Sequence, residues 1–195
     1  METDTRVLTT EVKLQRAFVK LLADKGFDHL TVRDLAREAA INRGTFYQHY
    51  LDKFDLLTSY ENELVGAVQG IFTQYPKPMG KMVPDQRDAF WQLFQYLYHQ
   101  RALSAALLRC PASKIGPRLK ALIVMIVAVP VDGEAAIPQD IAQEIVVQGV
   151  LDFIRYWLTR DVVLSPQRAY AIFKVTRTLS PQQLVGDNES FSNNS

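Results

Sequence analysis

Side chains that can form hydrogen bonds with bases and phosphates are concentrated between residues 43 and 49. This short segment contains Arg43, Thr45, Tyr47, Gln48 and His49. Arginine, glutamine and threonine can contact base edges in the major groove of DNA, and tyrosine and histidine can reach phosphates. The segment therefore has the chemistry for recognising a duplex. The alternative is that these residues are simply the polar, solvated face of a helical bundle.

Three short helices are predicted to position this segment. Apolar residues at three- and four-residue spacing predict a first helix from an N-cap at Thr10 to a stop at Gly26. Thr31 is expected to cap a second helix, and Asn42 a third that extends from Arg43 to about His49. In the third helix, Phe46 and Tyr50 are the candidates for the inward face. This is a helix-turn-helix pattern, in which one helix enters the groove and the others brace it.

The rest of the chain also has helical periodicity, and no convincing strand is predicted. Asp52 is expected to cap a fourth helix, and a break is expected near Arg101. The predicted helices cover about 52–72, 90–98, 103–108, 115–129, 139–160 and 166–179. Proline-containing loops are predicted at 74–84 and 130–138, and disorder after about residue 180. The expected fold is all-α, with an N-terminal domain over residues 1–52 and a larger helical domain over 53–195.

Composition excludes several classes of protein. The 195 residues are 48% hydrophobic and 22% charged, as in ordinary globular proteins. No apolar run approaches the roughly 18 residues of a membrane span, and the N-terminus lacks the pattern of a signal peptide, so a cytoplasmic protein without a membrane partner is expected. Cys110 is the only cysteine, so it is either a small core residue or a reactive thiol. The three histidines are widely spaced, and neither a metal site nor a cofactor is expected.

Net charge favours neither presence nor absence of a nucleic-acid partner. It is +1 for the whole chain, and residues 1–60 contain nine Lys or Arg and nine Asp or Glu. A duplex-binding surface in this part of the chain would require the cations to be segregated on one face.

Residues 8–60 resemble the DNA-binding domain of the tetracycline-repressor (TetR/AcrR) family. The resemblance is carried by LTVRDLA at 30–36, INRGTFYQHY at 41–50 and DKFDLL at 52–57. Asn42 and Arg43 depart from the family's more common serine-containing turn, and Tyr50 replaces its phenylalanine. The resemblance implies a ligand-responsive transcriptional regulator, most often a repressor, and not an enzyme. Such a protein binds a near-palindromic double-stranded DNA operator as a homodimer and is released by a small molecule.

The resemblance also implies roles for individual residues. Thr31 would bind a phosphate through its hydroxyl and the helix amides, and Lys53 would pair with another phosphate. Tyr47 and His49 would hold the DNA backbone on either side of the groove. Three residues would contact base edges: Arg43 guanine, Gln48 adenine, and the Thr45 methyl group thymine. Gly44 would permit close approach of the protein backbone, and Arg33 would contact the DNA backbone or a base. The N-terminal Arg6 would reach a phosphate or the minor groove, or else lie in a frayed terminus.

For residues 53–195 the resemblance implies a regulatory domain. The helices at about 139–160 and 166–179 would form the homodimer, with Gly149 permitting close helix approach. The fourth helix would act as a lever between effector and DNA. The effector would be weakly apolar or aromatic, with His99 or Arg101 as a polar anchor. Its pocket is expected among seven aromatic residues: Phe72, Phe90, Trp91, Phe94, Tyr98, Phe153 and Trp157.

Two other functions remain open on the residues alone. A small helical enzyme would need catalytic residues dispersed along the chain, since neither a phosphate-binding loop nor a paired-carboxylate motif is present. A helical protein-binding adaptor would account for the aromatic content and the near-neutral charge. An adaptor would not need Tyr47, His49 or Lys53, so substitution of Tyr47 separates it from a DNA-binding protein.

Overall fold

The described part of the chain consists of helices connected by short turns. A computed structural model describes residues 2–75, 88–127 and 137–185, and within these ranges it contains no strand. The helices are α1 (Glu2–Lys25), α2 (Val32–Glu38), α3 (Arg43–His49), α4 (Lys53–Gln74), α5 (Ala89–His99), α6 (Arg101–Arg109), α7 (Ile115–Val127), α8 (Gln139–Thr159), α9 (Pro166–Val175) and α10 (Pro181–Val185). The predicted all-α fold is confirmed.

Most predicted helix boundaries agree with the structure because local hydrogen bonds set them. Asn42 accepts a hydrogen bond from the amide of Gly44 at 2.9 Å, and Asp52 accepts from the amides of Phe54 and Asp55 at 2.8 and 2.9 Å. Side-chain caps of this kind satisfy amides that have no partner within the helix. The predicted break near Arg101 separates α5 from α6.

Three boundary predictions are wrong. Helix α1 begins at Glu2 and not after Thr10. Helix α9 ends at Val175, before the predicted Leu179. Residues 181–185, predicted to be disordered, form α10, since Ser180 and Gln183 exchange backbone-to-side-chain hydrogen bonds of 2.8 and 3.4 Å at its start. The remainder of the predicted tail and most of both predicted loops lie outside the described residues.

Helix α4 shares its buried face with both predicted domains. Near its start, the ring of Tyr60 lies edge-on to that of Phe18 from α1, with centroids 5.3 Å apart. Near its end, Phe72 lies edge-on to Phe90 from α5 at 5.2 Å. The other main packing pairs are α7 with α8, α5 with α9, and α1 with α2 and α6. The division at residue 52 remains a prediction, because one continuous core extends through α4.

Within the described residues, no helix is both long and apolar enough to cross a membrane.

Candidate nucleic-acid interface

Helix α3 is held by one buried ring and leaves its polar side chains in solvent. Phe46 is fully buried, and its ring lies 5.7 Å from that of half-buried Tyr50. The predicted inward face is thereby confirmed. The side chains on the other face are exposed, apart from a half-buried threonine: Arg43, Thr45, Tyr47, Gln48 and His49.

The turn before α3 is tight. Ala40 has a positive φ of 51°, and the amide of Ile41 donates to the carbonyl of Ala36 at 3.0 Å. A left-handed residue with this hydrogen bond ends α2 and reverses the chain within a few residues. Helix α3 therefore crosses α2 with its polar face turned outward.

Gly44 has no packing reason to be glycine. A Cβ at this position would meet only the Asn42 side chain, at an ordinary contact distance of 3.6 Å, and Gly44 has no positive φ. A glycine within a helix costs roughly 1 kcal/mol relative to alanine. Nothing in the packing of the chain therefore explains this glycine, and its lack of a side chain leaves the backbone of α3 open to close approach.

The hydroxyl of Thr31 is engaged within the protein. It donates to Oδ2 of Asp34 at 2.6 Å and accepts from the Asp34 amide at 3.2 Å. The Thr31 amide in turn donates to Oδ2 of Asp34 at 3.2 Å, which completes a capping box at the start of α2. The Lys25 ammonium also pairs with this carboxylate, and together with Thr31 it holds the pKa of Asp34 well below its usual range. The Thr-x-x-Asp spacing is the sequence signal for this box. A phosphate contact at Thr31 would have to come from the helix amides or from a rotated hydroxyl.

Lys53 also has partners within the chain. Its ammonium donates to the carbonyl oxygens of Phe27 and Asp28 at 2.9 and 3.0 Å. The same ammonium lies 4.8 Å from the centre of the Phe27 ring and 5.4 Å from that of Phe54. The lysine predicted to contact a phosphate thus bridges the start of α4 and the loop after α1.

Two arginines near α3 have no side-chain partner among the described residues. They are Arg33 on α2 and Arg43 on α3, and both are exposed. Other nearby cations are paired: Lys20 donates to Glu38 at 2.6 Å, and Arg37 to Asp34 at 3.2 Å. The unpaired arginines are therefore the cations most available to a polyanion. The side chain of Arg6 lies outside the described part of the structure.

Two buried hydrogen-bond networks were not predicted from the sequence. The phenol of Tyr50 donates to Glu11 on α1, 2.9 Å from either carboxylate oxygen. Glu61 of α4 is 4% exposed and accepts from the hydroxyl of Ser113 and the amide of Lys114, at 2.8 and 2.6 Å. Arg118 lies 3.4 Å from the second carboxylate oxygen of Glu61. Glu61 thereby fastens the middle of α4 to the start of α7.

The seven aromatic residues predicted to line an effector pocket belong to one series of ring contacts, in which Phe90 lies 5.2 Å from Phe72 and 5.4 Å from Phe173 of α9. Phe72 and Phe90 border an enclosed cavity of about 20 Å³, whose walls are apolar side chains of α4, α5, α7 and α8. A space of this volume holds about one water molecule. The other five belong to an aromatic cluster that includes Tyr170 and Phe173 of α9: Trp91, Phe94, Tyr98, Phe153 and Trp157.

The two predicted polar anchors lie beside this cluster. His99 and Arg101 are both exposed, and the Arg101 guanidinium stacks 4.9 Å from the Tyr98 ring and donates to the Tyr98 carbonyl at 3.2 Å. Close helix approach at Gly149 in a homodimer remains a prediction, and within the chain this glycine has a charged neighbour. The Arg177 guanidinium of the same chain lies 3.2 Å from where a Cβ of residue 149 would be.

Cys110 is a buried thiol at the end of α6. It borders a groove of about 520 Å³ between α1 and α6. Burial raises the pKa of Cys110 above its ordinary value. Because the thiolate is the reactive form, the structure favours the core interpretation of this residue over a reactive thiol.

Comparison with known proteins identifies the N-terminal region. Residues 16–60 match the model for bacterial regulatory proteins of the tetR family. An HTH-type transcriptional regulator of Bacillus subtilis (strain 168), YxbF, is 44% identical over 55 residues. That alignment spans 28% of this chain and 14% of the relative.

Solved structures match the fold over most of the chain. A TetR transcriptional regulator from Streptococcus agalactiae 2603V has a TM-score of 0.58 at 20% identity, covering 90% of this chain and 97% of that one. NalD, the secondary repressor of the MexAB-OprM multidrug efflux pump in Pseudomonas aeruginosa, has a TM-score of 0.57 at 16% identity, with 86% and 95% covered. The fatty acid degradation regulator FadR from Bacillus halodurans has a TM-score of 0.56 at 15% identity, with 86% and 93% covered.

The proteins matched are regulators and not enzymes, in agreement with the expectation from the sequence. The matched segment contains α2, α3 and the first turns of α4, which are the elements that present the polar face described above. Residues 16–60 match the tetR family of bacterial regulatory proteins, and the fold of the chain is similar to that of solved TetR regulators.

Proposed function

We propose that this protein is a transcriptional repressor that binds a near-palindromic DNA operator as a homodimer and is released by an apolar small molecule. The observation that carries the DNA-binding part is the outer face of α3. Phe46 anchors the helix, while Arg43, Tyr47, Gln48 and His49 remain exposed. A short braced helix with such a face fits the major groove.

The contacts with DNA divide by chemistry. Arg43 and Gln48 are the base-reading residues, since arginine pairs with guanine and glutamine with adenine. The half-buried Thr45 offers a methyl group to thymine. Tyr47, His49 and Arg33 hold the sugar-phosphate backbone, and the Thr31 end of α2 contributes its amides. Gly44 allows the backbone of α3 to approach the groove.

The homodimer is proposed to form through α8 and α9. Both helices expose apolar side chains that are outside the core of this chain, including Ile141 (50% exposed), Ile145 (62%) and Val175 (50%). Ile141 and Ile145 lie one helical turn apart on α8, and exposed apolar side chains grouped in this way indicate a contact with another molecule. In a dimer that reads two half-sites, the two copies of α3 must lie about 34–36 Å apart, which is one turn of DNA.

The effector is proposed to enter the regulatory helices next to α4. The cavity there is bordered only by apolar side chains, which favours an apolar ligand. Because the space holds about one water molecule, binding requires α4, α5, α7 or α8 to move. Helix α4 is continuous from Lys53 to Gln74, so such a movement can reach the DNA-binding surface. If α4 transmits such a movement, a bound effector should weaken operator binding. Unchanged operator affinity in the presence of bound effector would contradict this coupling.

The DNA-binding proposal is tested by selection of random duplexes on the purified protein at moderate salt. A near-palindromic motif is expected. Tyr47→Ala should then weaken binding to the selected duplex by about tenfold or more, because it removes a DNA-backbone contact without disturbing buried Phe46. Affinity of the unaltered protein should fall steeply with salt, as expected when phosphate contacts release counterions.

The control is Met125→Ala, which shortens a side chain that is 66% exposed on α7, away from α3 and from the proposed dimer helices. It should leave base and phosphate contacts intact. A selection that recovers no motif from folded dimeric protein, or a salt-insensitive complex, would count against the proposal. If the Tyr47→Ala variant still binds a protein partner, and the unaltered protein has no affinity for DNA, the adaptor function would be favoured.

The dimer is tested by Ile145→Asp. A carboxylate at the centre of the apolar face should convert the dimer into folded monomers, which sedimentation velocity and circular dichroism would detect together. Operator affinity should fall as dimerisation is lost. The control is Met125→Asp, an exposed residue of α7 outside the proposed face (66% exposed). A variant Ile145→Asp that remains dimeric would show that the protomers meet elsewhere.

A further inference from the structure

The groove between α1 and α6 lies outside both sites proposed above. Its volume is about 520 Å³, which is in the range of sites that bind small organic molecules. It shares no lining residue with the small cavity beside α4. Phe27 and Cys110 are buried residues of its wall, whereas Ala23 and Ala102 are exposed. The groove therefore has a buried apolar side and an opening to solvent.

Small side chains keep this groove open. On α6, the groove is bordered by Ala102, Ala105 and Ala106, whose three- and four-residue spacing places them on one face of the helix. Helix α1 contributes the half-buried Val19 and Leu22 to the opposite wall. Because each alanine has only a methyl group, the two helices pack with a space between them that longer side chains would fill. An apolar chain can occupy this space without a rearrangement of the helices.

Of the residues that line the groove, Arg109 alone is charged. It is exposed, it donates to the carbonyl of Thr159, and no carboxylate in the described part of the chain pairs with it. A guanidinium has five N–H donors, so most of them remain available to a ligand. Lys25, Asp28 and His29 border a smaller adjoining space of about 150 Å³. Since this lysine and aspartate have opposite charges, Arg109 determines the charge preference of the groove.

We propose that the groove between α1 and α6 is a second small-molecule site, which binds an apolar carboxylate with its chain along the alanines of α6 and its carboxylate on Arg109. A guanidinium and a carboxylate can form two parallel hydrogen bonds, and the apolar walls accommodate the chain. A neutral ligand would leave the arginine unused, and a cation would be repelled by it. The occupant would contact both α1, which extends into the matched region at 16–60, and α6 of the larger helical part. The site does not depend on the proposed binding of DNA.

The charge preference is tested by calorimetric titration of the DNA-free protein with decanoate, below the concentration at which decanoate forms micelles. Decanoate should bind about tenfold more tightly than 1-decanol or decyltrimethylammonium, because only the carboxylate can pair with Arg109. Arg109→Gln should remove this preference. Arg168→Gln is the control, since it removes an exposed arginine of α9 that does not border the groove. Equal affinities of the unaltered protein for the three probes, or no binding of decanoate, would overturn the proposal.

The location of the ligand is tested by Ala106→Leu. Leucine has nearly the helix propensity of alanine, and its longer side chain would fill part of the groove while Arg109 keeps its charge. Decanoate affinity should fall by about tenfold or more. The matched control is Ala171→Leu, at an exposed position of α9 outside the groove, which should leave the affinity unchanged. Circular dichroism checks that both variants are folded, and full decanoate affinity in folded Ala106→Leu would show that the ligand binds elsewhere.

Cys110 provides an independent readout in the unaltered protein. It is the only cysteine of the chain and it borders the groove, so its alkylation by iodoacetamide reports on this one place. At a decanoate concentration about ten times its Kd, alkylation should be about tenfold slower, because only the unoccupied groove reacts. Decanoate binding without protection of Cys110 would overturn the proposal. None of these measurements uses DNA, so a failure to select an operator would contradict the proposed function and leave this site to be decided separately.

Discussion

Replacement of Phe94 by alanine is expected to lower the free energy of unfolding by about 4 kcal/mol. Phe94 is fully buried on α5, and it stacks on Trp157 of α8 with ring centres 4.9 Å apart. Its ring also lies 5.3 Å from Phe173 and 5.6 Å from Tyr170, both on α9. Alanine would leave a cavity at the point where three helices meet. Denaturant unfolding followed by circular dichroism measures this loss.

The comparison must hold protein concentration constant, because the stability of a dimer depends on it. Phe94→Leu is the matched control. It keeps much of the buried apolar volume, so its loss should be clearly smaller. If Phe94→Ala costs less than about 1 kcal/mol, the cluster is not tightly packed, and these rings would again be candidates for an effector pocket. The expected large loss would instead leave only Phe72 and Phe90, among the seven predicted residues, beside an existing cavity.

Glu61→Ala is expected to lower the free energy of unfolding by about 3 kcal/mol. The carboxylate is buried and accepts from Ser113 and Lys114, and Arg118 lies beside it. Alanine would leave the Lys114 amide without its acceptor at the start of α7 and an arginine without its counter-charge. Both costs arise because these groups lose a partner and cannot regain full solvation. Thermal or denaturant unfolding at fixed concentration would test the prediction.

Glu61→Gln separates the hydrogen bonds from the charge. Glutamine can still accept from the Ser113 hydroxyl and the Lys114 amide, so only the pairing with Arg118 is weakened and the loss should be smaller than for alanine. Equal losses in the two variants would mean that charge dominates. This site bears on the proposed function because Glu61 lies midway along α4, between the proposed DNA-binding surface and the cavity. A folded Glu61→Gln protein is therefore also suited to testing the proposed lever.

The sequence by itself determined the helix-turn-helix and most helix boundaries. Thr31, Asn42 and Asp52 cap their helices through side-chain oxygens that reach amides two or three residues away. Such contacts depend on residue type and spacing alone. The same is true of the two faces of α3, where a helical period separates buried Phe46 from exposed Tyr47 and Gln48.

Only the tertiary structure decided the partners of the charged residues. Lys53 meets carbonyl oxygens 25 and 26 residues earlier, and Glu61 meets groups 52 and 53 residues later. Periodicity shows that a lysine or glutamate lies on a helix, but not which loop folds against it. It could not show either that Arg177 occupies the space beside Gly149. These contacts depend on how helices distant in sequence pack together, and in this chain they determine which of the predicted cations and rings remain free for a ligand.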